Sequence, residues 1–335
     1  MSTSTIESMR DEQHRDLIAL VQALAAKSAV PSAPEDQLRG WSDFVELGLT
    51  AVSLAEDSGG AGGTFLDEVI VAVEIARHGL DVPFVDNVLA SWVLGHAIGP
   101  VKTRTRALVT VDAVSDVVTA AWGRTVDEIV VVAADGTVAL GSGLDLDTRS
   151  EDLAGAPIDV VRIGELVDIG RWHDLPAELC ARAGVLRSAE ILGAASAVHS
   201  MSLRHVAERE QFGKPLLQIP TVAGSSAHIR AGIIQLECAV ERAAILLADD
   251  RDLAARSGAA AVCRTIADVV ATDAAARGHQ LHGAMGITQE HALGRFTRKL
   301  WAWRDRDGGA RSWTQTLGRA ARSNGEQSVW EVLST

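Results

Sequence analysis

The chain has 335 residues, 47% of them hydrophobic and 22% charged, with 30 Gly, 8 Pro and a formal net charge of −13. That length exceeds what one hydrophobic core usually fills, so two or three lobes are expected, and the composition excludes a disordered or fibrous chain. The acidic balance, with no Lys/Arg run interleaved with aromatic residues, excludes nucleic acid as a partner.

The first elements read as helices. From Ile6 to Ala26, apolar residues Leu17, Ile18, Leu20, Val21 and Leu24 recur at three-to-four spacing, and further helical patterns follow at Glu35 to Leu47, Thr64 to His78 and Asn87 to Ile98. Thr64 suits an N-cap, with Asp67 and Glu68 in the first turn. Residues 1–100 are therefore expected to form a helical domain. Glu7, Asp11 and Glu12 stand where a signal peptide needs an apolar core, so a cytoplasmic chain is expected. Between the second and third helices, Ser58-Gly-Gly-Ala-Gly-Gly-Thr64 lacks the Gly-Lys-Ser/Thr ending of a phosphate loop and reads as an inter-helix connection.

From Thr105 to Ile163 the period shortens. Ala107–Val111, Val117–Trp122, Glu128–Ala133 and Thr137–Leu140 are short β-branched runs separated by turn formers such as Asp135-Gly136, which predicts a small antiparallel β domain over residues 101–165. From Pro176 onwards helical patterns return and run long, at Leu179 to Arg209, Thr221 to Asp250, Ala255 to Leu281 and Gln289 through Leu300. Their apolar, small-residue faces predict a C-terminal four-helix bundle over residues 166–335, with a second face against another subunit. The most apolar of them, Ala231 to Ala248, is interrupted by Gln235, Glu237, Glu241 and Arg242, so no membrane span is expected. Cys180, Cys238 and Cys263 show no C-x-x-C spacing or clustered His; they are expected to be buried, inert thiols, with no metal site.

Two segments in this last region carry the chemistry: Arg209-Glu-Gln-Phe-Gly-Lys-Pro215, and Gln280-Leu-His-Gly-Ala-Met-Gly-Ile-Thr-Gln-Glu-His291. Together they resemble the signature segments of the acyl-CoA dehydrogenase family, flavoproteins that desaturate acyl-CoA thioesters. The run Leu54-Ala-Glu-Asp-Ser-Gly-Gly-Ala-Gly-Gly resembles that family's glycine-rich "pEeyGGlG" loop, and the likeness extends from roughly Gly48 to Asp307. The resemblance implies a mainly α fold, with an N-terminal helical lobe, a small β module and a C-terminal four-helix bundle. It also implies a FAD site shared across subunits of a tetramer, in which Arg209, Gln211 and Phe212 reach the cofactor of a neighbour. Gln280, Gly283 and Gly286 would lie along the adenosine and pyrophosphate end, where a guanidinium offers fixed donors and glycines admit backbone amides. Electrons would pass to an electron-transferring flavoprotein.

Several positions depart from the family pattern. Pro220 stands where many relatives place a flavin-binding Gln, and the first glycine pair is Gly283-Ala284. The family's Thr-Glu-Pro-x-Ala-Gly-Ser-Asp segment has no evident counterpart, which leaves Trp122 as the nearest flavin-facing aromatic, or alternatively as a core-filling residue. Desaturation needs a carboxylate to take the α-proton while hydride leaves the β-carbon. Counted from Gly283, the commoner base position falls on Asp307, within Arg304-Asp-Arg-Asp-Gly-Gly309, and Asp305 is the fallback; the other family position falls near Ala183, which has no acid. Both aspartates equally suit ion pairs with Arg304, Arg306 or Arg311 on a loop. His282 reads as packing rather than catalysis.

Two functions follow from the resemblance. One is a FAD-dependent acyl-CoA dehydrogenase. The other is the non-catalytic partner of a heteromeric dehydrogenase, an arrangement found among relatives of lipid and sterol catabolism, to which the absence of Glu at both base positions points.

Overall fold

A computed structural model describes residues 12–28, 40–102, 104–248, 252–288 and 290–324. The starts of the helices expected from Ile6 and Glu35, the end of the one expected to reach Asp250, and Gln289 lie outside the described residues.

Among the described residues, four α-helices form the N-terminal lobe: α1 (Glu12–Ser28), α2 (Trp41–Glu46), α3 (Phe65–Arg77) and α4 (Phe84–Ile98). α3 starts as its sequence predicts. The backbone N–H of Thr64 and its hydroxyl both donate to Asp67 Oδ2, at 2.7 and 2.9 Å, which satisfies groups the first turn would otherwise leave open. The glycine-rich connection folds on itself. Its Gly60, Gly62 and Gly63 amides donate to the carbonyls of Ala55, Leu54 and Val52, so they face the chain's own backbone and are not presented to a phosphate.

Behind this loop Glu68 is buried and accepts a hydrogen bond from the Ser53 hydroxyl. Burial pushes its carboxyl up to about 7, against the opposing pull of Arg182, whose guanidinium lies over Phe65 and Trp92 at 4.7 and 4.3 Å from the ring centroids. A carboxyl raised on folding favours the native state below its unfolded value, and this contribution is lost as pH climbs through the folded value. Glu68→Gln mimics the protonated group. It is expected to stabilise the protein on the order of 2 kcal/mol at pH 8 and to leave the melting temperature near pH 4.5 little changed, as checked by calorimetry at both pH values.

Five strands follow: β1 (Arg106–Val111), β2 (Val117–Ala121), β3 (Glu128–Ala133), β4 (Thr137–Thr148) and β5 (Ile158–Arg171), in the order β1-β3-β4-β5-β2. All pairings are antiparallel except β1 with β3, which run parallel with Val109 opposite Val131. The longest strand, β5, extends to Arg171, six residues beyond the boundary expected at 165, and its Gly and charged residues concealed it in the sequence. β3 explains why the module is fixed in place. Successive side chains alternate between faces, so Val130 and Val132 join the helical core while Ile129 and Val131 join a separate core inside the sheet.

The C-terminal region consists of α5 (Leu175–Glu208), α6 (Pro220–Ala248), α7 (Leu253–His282) and α8 (Leu293–Asp305), followed by a further helix, α9 (Gly309–Asn324), that the sequence pattern did not reveal. A two-strand hairpin, β6 (Glu210–Gln211) with β7 (Lys214–Pro215), joins α5 to α6. α5 packs so closely on α3 that a Cβ at Gly193 would sit 2.2 Å from the Val73 carbonyl oxygen. Lys299 of α8 ties the bundle to the first lobe: its buried ammonium donates to the Gly79 and Leu80 carbonyls and pairs with Asp81 at 2.6 Å. Burial of the cysteines is corrected. Cys263 is buried, but Cys180 and Cys238 are exposed, because helices apolar almost all round do not reveal in sequence which face turns outward.

Candidate functional site

A groove of about 700 Å³ runs between the first lobe, the end of β1 and the start of α5, and Thr110, Asp112, Cys180, Ala183, Arg187 and Asp307 border it. The two alternative base positions of the sequence reading, Asp307 and Ala183, thus converge on one space from opposite ends of the bundle sequence. Asp307, Gly308 and Gly309 all have left-handed backbones, with φ of 55, 88 and 59°. Asp tolerates that region better than most side chains, and the bend turns the chain from α8 into α9.

The loop is held from three sides. Trp313 Nε1 donates to the Asp307 carbonyl at 2.9 Å. Arg264, with no exposed surface, donates through Nη2 to the carbonyls of Trp303, Arg304 and Arg306 at 2.6, 2.8 and 3.1 Å, and through Nη1 to Asp268 at 2.7 Å. These bonds satisfy the open carbonyls at the end of α8. Asp307 Oδ2 accepts from Arg187 Nε at 3.1 Å, and the same buried guanidinium pairs with Glu190. Burial opposes the Arg187 charge, yet Glu190, Asp307 and Asp86 together hold its pKa above the usual value, so it stays cationic. Asp305 is exposed, bonds to Arg304 at 2.8 Å and does not border the groove.

Trp122 has φ of 61° and is 5% exposed. It lies against the opposite side of the Arg187 cluster, beside Glu190, Lys299 and Arg306. The sequence reading missed a candidate on the groove wall. Thr110-Val-Asp-Ala-Val-Ser-Asp116 supplies Thr, Ala, Ser and Asp in the order of the family's Thr-Glu-Pro-x-Ala-Gly-Ser-Asp segment, without its Glu, Pro and Gly, and its first three residues border the groove. A gapped match on the run after β1 was the available signal.

The other predicted residues gather at the far end of α5. Phe212 and Gly213 occupy the two central positions of the hairpin turn with φ of 56 and 75°, both left-handed, as the tight two-residue turn requires. That conformation is costly for Phe, whose side chain is 90% exposed. Arg209 caps α5, its N–H donating to His205 O at 2.9 Å, and its guanidinium makes no hydrogen bond or ion pair with any described residue. Gly283, at the end of α7, has φ of 59° and open space where a Cβ would stand. Gln280 is exposed, and Gly286 is buried where a Cβ would meet His282 at 2.8 Å. The helix ends that lead into the hairpin and this ribbon are neighbours: the His205 and His282 rings stack at 4.8 Å. A free guanidinium, an exposed aromatic and an uncovered left-handed glycine fit a dinucleotide's phosphates and ring. Arg187 and Arg209 are 22 residues apart along α5, so groove and hairpin are separated by about 33 Å at 1.5 Å per residue.

No helix among the described residues is long and apolar enough to cross a membrane. The family models for the N-terminal and C-terminal domains of acyl-CoA dehydrogenases match residues 11–102 and 181–308. Acyl-CoA dehydrogenase IpdE2 of Mycobacterium tuberculosis is 28% identical, covering 84% of this chain and 89% of that protein. Acyl-CoA dehydrogenase FadE34 of the same organism is 27% identical; the match covers 93% of this chain and 48% of FadE34. Among solved structures, the Tcur3481-Tcur3483 steroid ACAD superimposes with a TM-score of 0.81 at 20% identity, covering 92% of this chain and 97% of that one, a likeness of fold.

Proposed function

Since the chain belongs to the acyl-CoA dehydrogenase family, we propose that it takes part in FAD-dependent α,β-desaturation of an acyl-CoA thioester, with electrons passed on to an electron-transferring flavoprotein. The observation that carries this reading is the placement of two incomplete half-sites at opposite ends of one helix. About 33 Å is further than one dinucleotide reaches, so the hairpin end would serve a cofactor whose ring lies in another subunit's groove.

In that arrangement Arg209 would hold the pyrophosphate, Phe212 would stack on the cofactor, and Gln280, Gly283 and Gly286 would line its adenosine end. FAD, when bound, supplies the hydride acceptor. Asp307, at the family's base position, would accept the α-proton in the groove, which Asp86 and Asp112 also border, and Arg187 holds one of its oxygens. Arg209→Ala is expected to weaken FAD binding about 10- to 100-fold, the effect of losing charge-assisted hydrogen bonds, without changing stability, since the side chain is exposed. FAD titration followed by flavin fluorescence, alongside a thermal melt, checks both expectations.

A second reading is that the chain is the non-catalytic partner of a heteromeric dehydrogenase and completes the FAD site of a catalytic subunit. The Asp307–Arg187 ion pair favours it, because a base must be free to reach substrate. So does the match to only 48% of FadE34, in which the remainder has room for a second unit. The steroid ACAD likeness supports a place in lipid or sterol catabolism. Purification alone and with candidate partner subunits, recording flavin absorbance and its bleaching by acyl-CoAs, separates the readings. Bleaching by the homo-oligomer supports the first, and flavin held only by the co-assembled material supports the second. Colourless material in both, without uptake of added FAD, overturns both.

A further inference from the structure

We infer that His205, His282 and His291 form a proton-operated latch that holds the Arg209 hairpin against the Gly283 ribbon at neutral pH and releases it in mild acid. His205 lies in the last turn of α5, His282 is the last residue of α7 and directly precedes Gly283, and His291 stands in the turn before α8. The first two rings are stacked, with centroids 4.8 Å apart and planes 20° apart; His291 meets His282 edge-on, also at 4.8 Å. One side chain from each of three elements thus closes a contact whose parting would free both segments.

The contact is built for neutral rings. His282 is 4% exposed, and its Nδ1–H donates to the Gly278 carbonyl at 2.9 Å, which leaves Nε2 as the acceptor. That Nε2 is buried and has no hydrogen-bond partner among the described residues. Protonation would place an unsatisfied N–H and a charge in that enclosed position, with a second imidazole stacked on it.

Neighbouring charges offer little relief. On α5, Glu208 favours a charged His205, whereas Arg209 and His291 oppose it. Facing His282 are His205 and His291, with His279 from its own helix, and all three oppose its charging. Burial first, then these neighbours, hold both imidazoles below their ordinary value of 6.5. The sign follows from linkage. The latched form stays neutral while the released form takes up protons, so the latch keeps full strength above pH 6.5 and weakens as pH falls below it. One unit below that value each released ring gains at most about a factor of ten, so two rings weaken the latch by up to about a hundredfold.

The latch rests on the proposed function only in that the segments it joins are those assigned to FAD. The test is hydrogen–deuterium exchange of the full chain without added flavin, corrected for the intrinsic pH dependence of exchange. Between pH 7.5 and 5.5, protection in peptides containing Arg209 or Gly283 is expected to fall, by up to about a hundredfold, while peptides from the middle of α7 keep theirs. His205→Phe, at a half-buried position, should reduce that fall to at most about tenfold, and the double variant with His282→Phe should remove it. Constant protection in the wild-type protein, or an undiminished fall in the folded His205→Phe variant, overturns the latch. FAD titration at pH 7.5 is read separately, and failure there removes the flavin reading while leaving the exchange result standing.

Discussion

Asp307→Asn is expected to slow bleaching of the flavin by acyl-CoA about a thousandfold while flavin content stays unchanged, the scale of losing a positioned general base. Asn keeps the shape of Asp, and its carbonyl oxygen can still accept from Arg187 at the position Oδ2 now holds, 3.1 Å from Nε. The carbonyl bond to Trp313 and the left-handed backbone are both compatible with Asn. What is lost is the capacity to take the α-proton. Stopped-flow reduction of the flavin measures it directly. If the variant bleaches at the wild-type rate in material that contains only this chain, the base lies elsewhere. If the rate is unchanged only in a complex with a second subunit, that subunit supplies the base, and this chain is the partner of the second reading.

Arg187→Ala is expected to destabilise the protein by about 3–5 kcal/mol, because it leaves a buried carboxylate uncompensated. Arg187 is 3% exposed and pairs with both Glu190, itself 7% exposed, and Asp307. Arg306, 3.8 Å from Asp86, is too loosely placed to replace it. The double variant Arg187→Met with Glu190→Leu should recover much of the loss, since apolar groups of similar volume remove the unpaired charge together with its partner. Urea unfolding compares the three proteins. A loss below about 1 kcal/mol in Arg187→Ala would mean that the pair contributes no more than an exposed ion pair does.

Much of the fold was legible because it depends on local pattern. The Thr64 cap, the β-branched run of β3 and the long C-terminal helices each follow from side chains a few residues apart. α9 and β5 were missed for a different reason. α9 has only Trp313 and Leu317 as large apolar residues on its stripe, among Arg, Ser and Gly, and β5 carries Gly and charged residues between its apolar ones, so the apolar period is sparse in both. The parallel pairing of β1 with β3 was also beyond local reading, since the antiparallel turns between neighbours say nothing about strands that skip one another.

For the candidate site, the sequence by itself determined the family, and it nominated the Arg209–Pro215 segment, the glycine ribbon and Asp307 as the residues to consider. Those are matters of residue type and spacing, and spacing along one chain is what a sequence records. Only the tertiary structure decided that Arg187, 120 residues away, pairs with Asp307, that Asp305 stays outside the groove, and that three histidines from separate elements share one contact. Buried ion pairs and ring stacks depend on how distant helices pack, and packing is fixed by the shape and burial of whole faces that no short window contains.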